Sequence, residues 1–161
     1  MWFYNSSGTA TVYFNSINIA GTAAAANTRY SVAFQKEGAG TVDTRDNIFS
    51  NLRANGAGGS GYNMAYFAVD NTNITSDYND LYTSDPTTVG AWSGFAYDFA
   101  NYQIVSGKEG NSVSVDPLFV SNTDLHTTKP ELNNAGVLIP GITTDYSGAT
   151  RRALGYPGAR G

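Results

Sequence analysis

The sequence predicts an all-β fold: a right-handed parallel β-helix of about three coils, closed by an irregular C-terminal cap that holds one short helix. Two observations carry this expectation. Like residues recur at a step of 32 positions, with Asn15, Asn47 and Asn79 at the same place in each unit. The composition also suits strands and turns, since 18 of 161 residues are Gly, 11 are Tyr and only 14% are charged. Gly tolerates the left-handed backbone of turns, and Tyr and Thr suit half-buried pleated surfaces.

The repeat defines the strands in order. Residues 11–19, 41–49 and 74–82 align on the three asparagines. Two positions after each stand Ile17, Phe49 and Leu81; five before stand Ala10, Val42 and Ile74; three before stand Val12, Thr44 and Ser76. The positions five and three before each Asn share one parity, as the inward side of a strand requires. The other parity faces out: Thr11, Asp43 and Thr75, then Tyr13, Arg45 and Asp77. A second strand keeps the step, Val32 and Phe34 answering to Met64 and Tyr66. Turns fall at 38–40, 56–61 and 71–73. A sandwich also has short strands, but it does not require like residues at a fixed step. Stacked coils do, because neighbours bury a core that no coil forms alone. Asn15, Asn47 and Asn79 are read as structural bends, each amide bonding the backbone of the next coil. Asn111 stands at the next such step, but the positions between do not align, and the match is read as accidental.

The rest departs from the repeat. Residues 98–106 predict a helix, capped by Asp98, with Phe99 and Tyr102 on one face and Gly107 at its end. A strand is expected over 112–120, with Pro117 at a bend or edge. Residues 121–161 are turn-rich, with apolar pieces at Leu125, 137–139 and Ile142, and read as a cap over the open end. The division is thus coils over 1–97 and helix, last strand and cap over 98–161, in one domain. Met1 leads straight into Trp2, Phe3 and Tyr4 with no basic leader. Three consecutive aromatics suit a buried strand, so the chain reads as a fragment of a longer protein whose earlier coil is missing. An unpaired first coil then invites end-to-end self-association.

Composition excludes several partners. The net charge of −4 and the thin spread of nine Lys and Arg argue against nucleic acid; the one adjacent basic pair is Arg151-Arg152. No apolar run is long enough for membrane insertion. The absence of cysteine removes disulfides and thiolate metal sites.

The residues 42–49, 76–82, 111–120, 123–126 and 141–146 follow one another in an order similar to the C-terminal region of right-handed parallel β-helix repeat proteins exported by Bacteroidota-type bacteria, of the choice-of-anchor type. The resemblance covers about 11–151, and the Asp116-Pro117-Leu118-Phe119 stretch is its most specific part. It implies that this region closes a β-helix in a large exported protein, extracellular or at the cell surface. Near the end, the family's acidic stretch resembling Asp-Ile-Gly-Ala is replaced here by residues 156–160, Tyr-Pro-Gly-Ala-Arg. Any cation held by that stretch is in doubt here.

No catalytic set is expected. His126 is the single histidine, and nothing sets it beside a serine with an acid behind it. One His without Cys cannot supply a zinc site. Asp77, Asp80 and Asp85 lack the spacing of an EF-hand loop and read as solvated turn carboxylates, calcium being the alternative. The Gly-rich loop 56–61 reads as a turn, since no Lys-Ser or Lys-Thr follows it. The candidate ligand-binding residues are Tyr13, Arg45, Asp77 and Asp43. Stacked about 4.8 Å apart, Arg45 is expected to pair with Asp77 and lie against Tyr13. Such a strip could bind polysaccharide or a cell-surface glycan, or simply decorate a strand face. The leading expectation is a non-catalytic scaffold module with glycan or surface contact. The alternative is part of a polysaccharide lyase, or another carbohydrate-active β-helix enzyme, with Arg45 as base and Asp43 and Asp77 beside it.

Overall fold

A computed structural model of the protein describes residues 1–150, apart from 5, 134, 146, 147 and 149. The strands are β1 (Trp2–Tyr4), β2 (Thr9–Tyr13), β3 (Ser16–Ile19), β4 (Ser31–Glu37), β5 (Thr41–Arg45), β6 (Ile48–Asn51), β7 (Asn63–Ala68), β8 (Ile74–Asp77), β9 (Asp80–Thr83), β10 (Gly90–Trp92) and β11 (Phe95–Tyr97). The helix α1 spans Phe99–Ser106, and a 3₁₀ turn spans Pro130–Leu132. Most of the fold is strands in parallel sheets, with α1 the one α-helix among the described residues.

Three sheets form. The first runs β1-β4-β7-β10-β11, the second β2-β5-β8 and the third β3-β6-β9. Ile17 pairs with Phe49 and Phe49 with Leu81, so the third sheet climbs by one repeat step at each tier. The second sheet keeps that step, through Val12, Thr44 and Ser76. Val32 and Phe34 pair with Met64 and Tyr66 in the first sheet, as the repeat predicts. Its last parallel pair joins Tyr66 to Gly90, a shorter step than the one below it. The shortening has a simple cause. The lower tiers carry long excursions over 20–30 and 52–62, whereas β9 turns almost directly into β10. β11 then folds back antiparallel on β10.

The two excursions stack on each other as the strands do. Ala23 N donates to Ala54 O at 2.9 Å, Ala26 N to Ala57 O at 2.8 Å and Ser60 N to Asn27 O at 3.0 Å. This explains the glycines of 56–61. A Cβ at Gly61 would lie 2.1 Å from the Arg29 carbonyl oxygen, and one at Gly56 2.4 Å from that of Ala23. The loop is a contact between tiers, which only a bare backbone permits.

Inside, Phe34 stacks on Phe49 with ring centroids 5.1 Å apart, and Tyr66 packs against both. Val12, Val42, Ile74 and Leu81 complete the column, and Tyr102 of α1 joins it. Asp98 caps α1 by accepting from Asn101 N, and Gly107 ends it in the left-handed conformation at φ 62°. Phe99 and Tyr102 both turn to the core, so the helix sits on the last tier as its pattern predicts.

Three expectations need correction. Residues 112–120 form no strand; Val113 makes one parallel bridge to Asp80, and Phe119 one antiparallel bridge to Thr127. Pro117 and the left-handed Leu118 (φ 48°) prevent further extension. Second, the chain does not leave the stack after the third tier, although Asn111 itself is not the residue that continues the ladder. Val113 N donates to Asn79 O and Leu81 N to Val113 O, both at 2.9 Å, so a fourth tier begins one residue out of step. Third, Trp2 and Tyr4 are not buried. β1 does pair with β4, but only Phe3 packs on the core, while Trp2 and Tyr4 are 68% and 66% exposed. Strand alternation decides this, since neighbours in a strand face opposite sides.

The segment after 113 also runs differently from a simple end cap. Asn18 Nδ2 donates to Asn122 Oδ1 at 3.2 Å, and Val137 N to Asp46 Oδ1 at 2.5 Å. It therefore returns along the outer face of the third sheet, from the last tier to the first. Residues 151–161, including Arg151-Arg152 and 156–160, lie outside the described residues.

Candidate binding site

The outward column of the second sheet forms in register, Tyr13 beside Arg45 and Arg45 beside Asp77. Its contacts differ from the expected ones. Arg45 forks onto Asp43 of its own strand, Nε to Oδ1 at 2.8 Å and a terminal nitrogen to Oδ2 at 2.6 Å. The Tyr13 hydroxyl donates to the same Asp43 Oδ2 at 2.6 Å, and Arg45 reaches that hydroxyl at 3.2 Å. The guanidinium carbon stands 5.3 Å from the Tyr13 ring centroid, within cation–π range. Hydrogen bonding to Asp43 raises the Arg45 pKa. Asp77 is not its partner, which corrects the expected Arg45–Asp77 pair. It accepts from Tyr78 N, and from Asn111 N and Nδ2 at 2.7 and 2.8 Å. Geometry favours Asp43 because two positions along one strand place both side chains on one face, leaving a planar fork to meet a planar carboxylate. The outcome is a closed three-residue cluster, with Arg45 over the ring that a sugar would need.

The asparagines stand at equivalent bends and bond between coils, but the amides of Asn47 and Asn79 reach the backbone of the preceding coil and not the next, which corrects the expected direction. Asn47 Oδ1 accepts from Asn15 N at 3.0 Å, and Asn79 Oδ1 from Asn47 N at 3.0 Å. Asn47 Nδ2 donates to Val12 O at 2.9 Å, and Asn79 Nδ2 to Thr44 O at 3.0 Å. On the next tier Ser112 Oγ takes the acceptor role, bonding Asn79 N at 2.8 Å. The residue before each Asn is left-handed: Phe14, Asp46 and Tyr78 have φ of 57°, 61° and 57°. Such backbone costs about 1–3 kcal/mol in a non-Gly residue and persists only where surroundings over-determine it. The amide ladder supplies that constraint. Nothing in those residue types signals the turn; the asparagine after it does.

Beside the ladder lies a buried polar column. Thr44 and Ser76 hydroxyls are 2.7 Å apart, and Ser76 also bonds the carboxyl of Glu109, which accepts from Ser112 and Asn79. Glu109 is fully buried, and burial raises its pKa.

The acidic trio separates. Asp85 accepts from Thr87 N and Oγ1 at an exposed turn. Asp80, expected in solvent, is 2% exposed beneath the returning segment, in a narrow cleft with Ile48, Val113 and Leu132. Its Oδ1 accepts from Val115 N at 3.0 Å, and its Oδ2 has no partner among the described residues. Burial, and secondarily the charge of Asp116, push its pKa up to about 8. Among the described residues no three carboxylate or imidazole groups converge on a point. His126 Nδ1 sits 2.5 Å from Asp124 Oδ1 at the surface. No described helix is long and apolar enough to cross a membrane.

Sequence reasoning missed a second surface. On the outer face of the first sheet, Trp2, Gln35 and Phe67 share one row, and Tyr4 and Glu37 share another. The alternation of Trp2, Phe3 and Tyr4 against Gln35, Lys36 and Glu37 is the signal that would have found it. Compared with protein-family models, curated proteins and solved structures, the chain finds no match in any of the three.

Proposed function

We propose that this chain is a right-handed parallel β-helix module of a large exported or cell-surface bacterial protein. It acts as a rigid, non-catalytic scaffold that presents a surface to glycans. The family resemblance over about 11–151 belongs to this proposal, as do the extracellular setting and end-to-end association. One observation carries it: the repeat step common to the second and third sheets, together with their asparagine ladder. That arrangement buries polar and apolar columns alike and leaves the outward positions free to vary. Association draws support from β1, β2 and β3, each the last strand of its sheet.

The lyase alternative asks Arg45 to give up a proton. A base needs a lowered pKa, and the fork onto Asp43 acts the other way. Incubation with uronic-acid polysaccharides and calcium is therefore expected to yield no unsaturated product absorbing near the ultraviolet edge. Product formation that Arg45→Ala abolishes would overturn the proposal.

A further inference from the structure

We infer that the outer face of the first sheet binds a neutral polysaccharide, across the strip between two aromatic corners. This deepens the scaffold reading above by naming the site and the ligand class. One corner is Trp2 and Tyr4, with ring centroids 6.2 Å apart and planes inclined at 63°. The other is Phe67 and Tyr30, with centroids 5.7 Å apart and planes at 82°. Phe67 lies two strands from Trp2, so the backbones that carry the two pairs stand about 10 Å apart. Two pyranose units of an extended chain match that span.

Between the corners lie Gln35 and Glu37. Glu37 Oε2 accepts from Trp2 Nε1 at 3.1 Å and from Gln35 Nε2 at 3.3 Å. The indole is thereby held in place before any ligand arrives, which lowers the entropy cost of binding. Aromatic faces suit the C–H faces of sugars, and a carboxylate beside an amide suits their hydroxyl donors.

Charge selects among occupants. Of the positions of this parity on β4 and β7, Ala33, Asn63 and Ala65 are buried, and Ser31, Gln35, Glu37 and Phe67 are the ones a ligand can meet. None is cationic, and Lys36 points inward, fully buried, its Nζ bonded to Thr72 O at 2.8 Å. A uronate polymer or nucleic acid would meet Glu37, and the Met1 ammonium beside it is already bonded to Ala33 O. A neutral chain of hydroxyls meets no such obstacle.

The test is affinity electrophoresis of the folded chain in soluble β-glucan, xylan, galactomannan and, as the anionic comparison, polygalacturonate. At least one neutral polymer is expected to retard it. Trp2→Ala should weaken that retardation roughly tenfold and Glu37→Gln roughly threefold. Arg45→Ala, on the second sheet, should leave it unchanged. Trp2 emission should shift to the blue on binding, and the shift should vanish in Trp2→Ala, which retains Trp92. Circular dichroism should find every variant folded. The inference is overturned if no neutral polymer retards the chain, or if polygalacturonate does so equally. It is also overturned if Arg45→Ala rather than Trp2→Ala removes binding, or if Trp2→Ala abolishes a dimer instead. The lyase assay bears on the scaffold reading independently, so the two can fail separately.

Discussion

Two columns run along the same three tiers, and their fates differ. Asn15, Asn47 and Asn79 keep one residue type at every tier and bond from each tier to the next. Tyr13, Arg45 and Asp77, two positions earlier, change type at every tier. Only Tyr13 and Arg45 touch, and the strongest partner of Arg45 lies on its own strand. An amide carries both a donor and an acceptor, so identical amides can chain along an axis without limit. A guanidinium takes whichever carboxylate its fork reaches in the best geometry. Recurrence of one residue type therefore marks contact between tiers, while mere alignment does not.

The largest expected effect breaks the first column. Asn47→Ala strips Val12 O, Arg45 O and Asn15 N of a buried partner. A loss of about 3 kcal/mol in denaturant unfolding is expected. Asn15 has a tier on only one side, and Asn15→Ala should cost about 1 kcal/mol. Equal losses at both sites would mean that the amides act within tiers only.

Asp80 sharpens the comparison from the other side, being outward by parity yet covered. Its folded pKa, about 8, stands above the ordinary value of 3.8. Its contribution to stability is therefore fully present at pH below about 3.8 and is lost as pH rises towards about 8. Glu109 adds a slope of the same sign. Asp80→Asn should flatten the fall between about pH 5 and 8 by about 2 kcal/mol in total. Full linkage would give about 1.4 kcal/mol per pH unit, and the smaller figure allows for relaxation around the buried carboxylate. An unchanged slope in pH-dependent melts would place Asp80 in solvent. The smallest effect belongs to the variable column. Arg45→Ala should cost at most about 1 kcal/mol, since its ion pair is partly solvated.

The same contrast marks what the sequence made legible. The strand pairs, the asparagine bends and α1 were readable, because periodicity and capping are local signals that packing reinforces. The fork of Arg45 onto Asp43 was not, since alignment ranks neighbours by tier and ignores those on the same strand. Burial of Asp80 was hidden for a different reason. It depends on where residues 113–137 return, and no repeat marks that path. The fourth tier was missed because one extra residue shifts Ser112 into the place that Asn111 holds by count.

The chain has no cysteine, so a pair of introduced ones reads the tier register directly. Thr11 and Asp43 are directly paired across the second sheet, about 4.8 Å apart. That lies within the range of about 4.4–6.8 Å that a disulfide spans. Thr11 and Arg45 are offset by two positions and fall beyond it. Mild oxidation should therefore cross-link Thr11→Cys with Asp43→Cys nearly completely, and Thr11→Cys with Arg45→Cys hardly at all. Equal cross-linking of both pairs, or preference for the second, would contradict the repeat step on which the whole account rests.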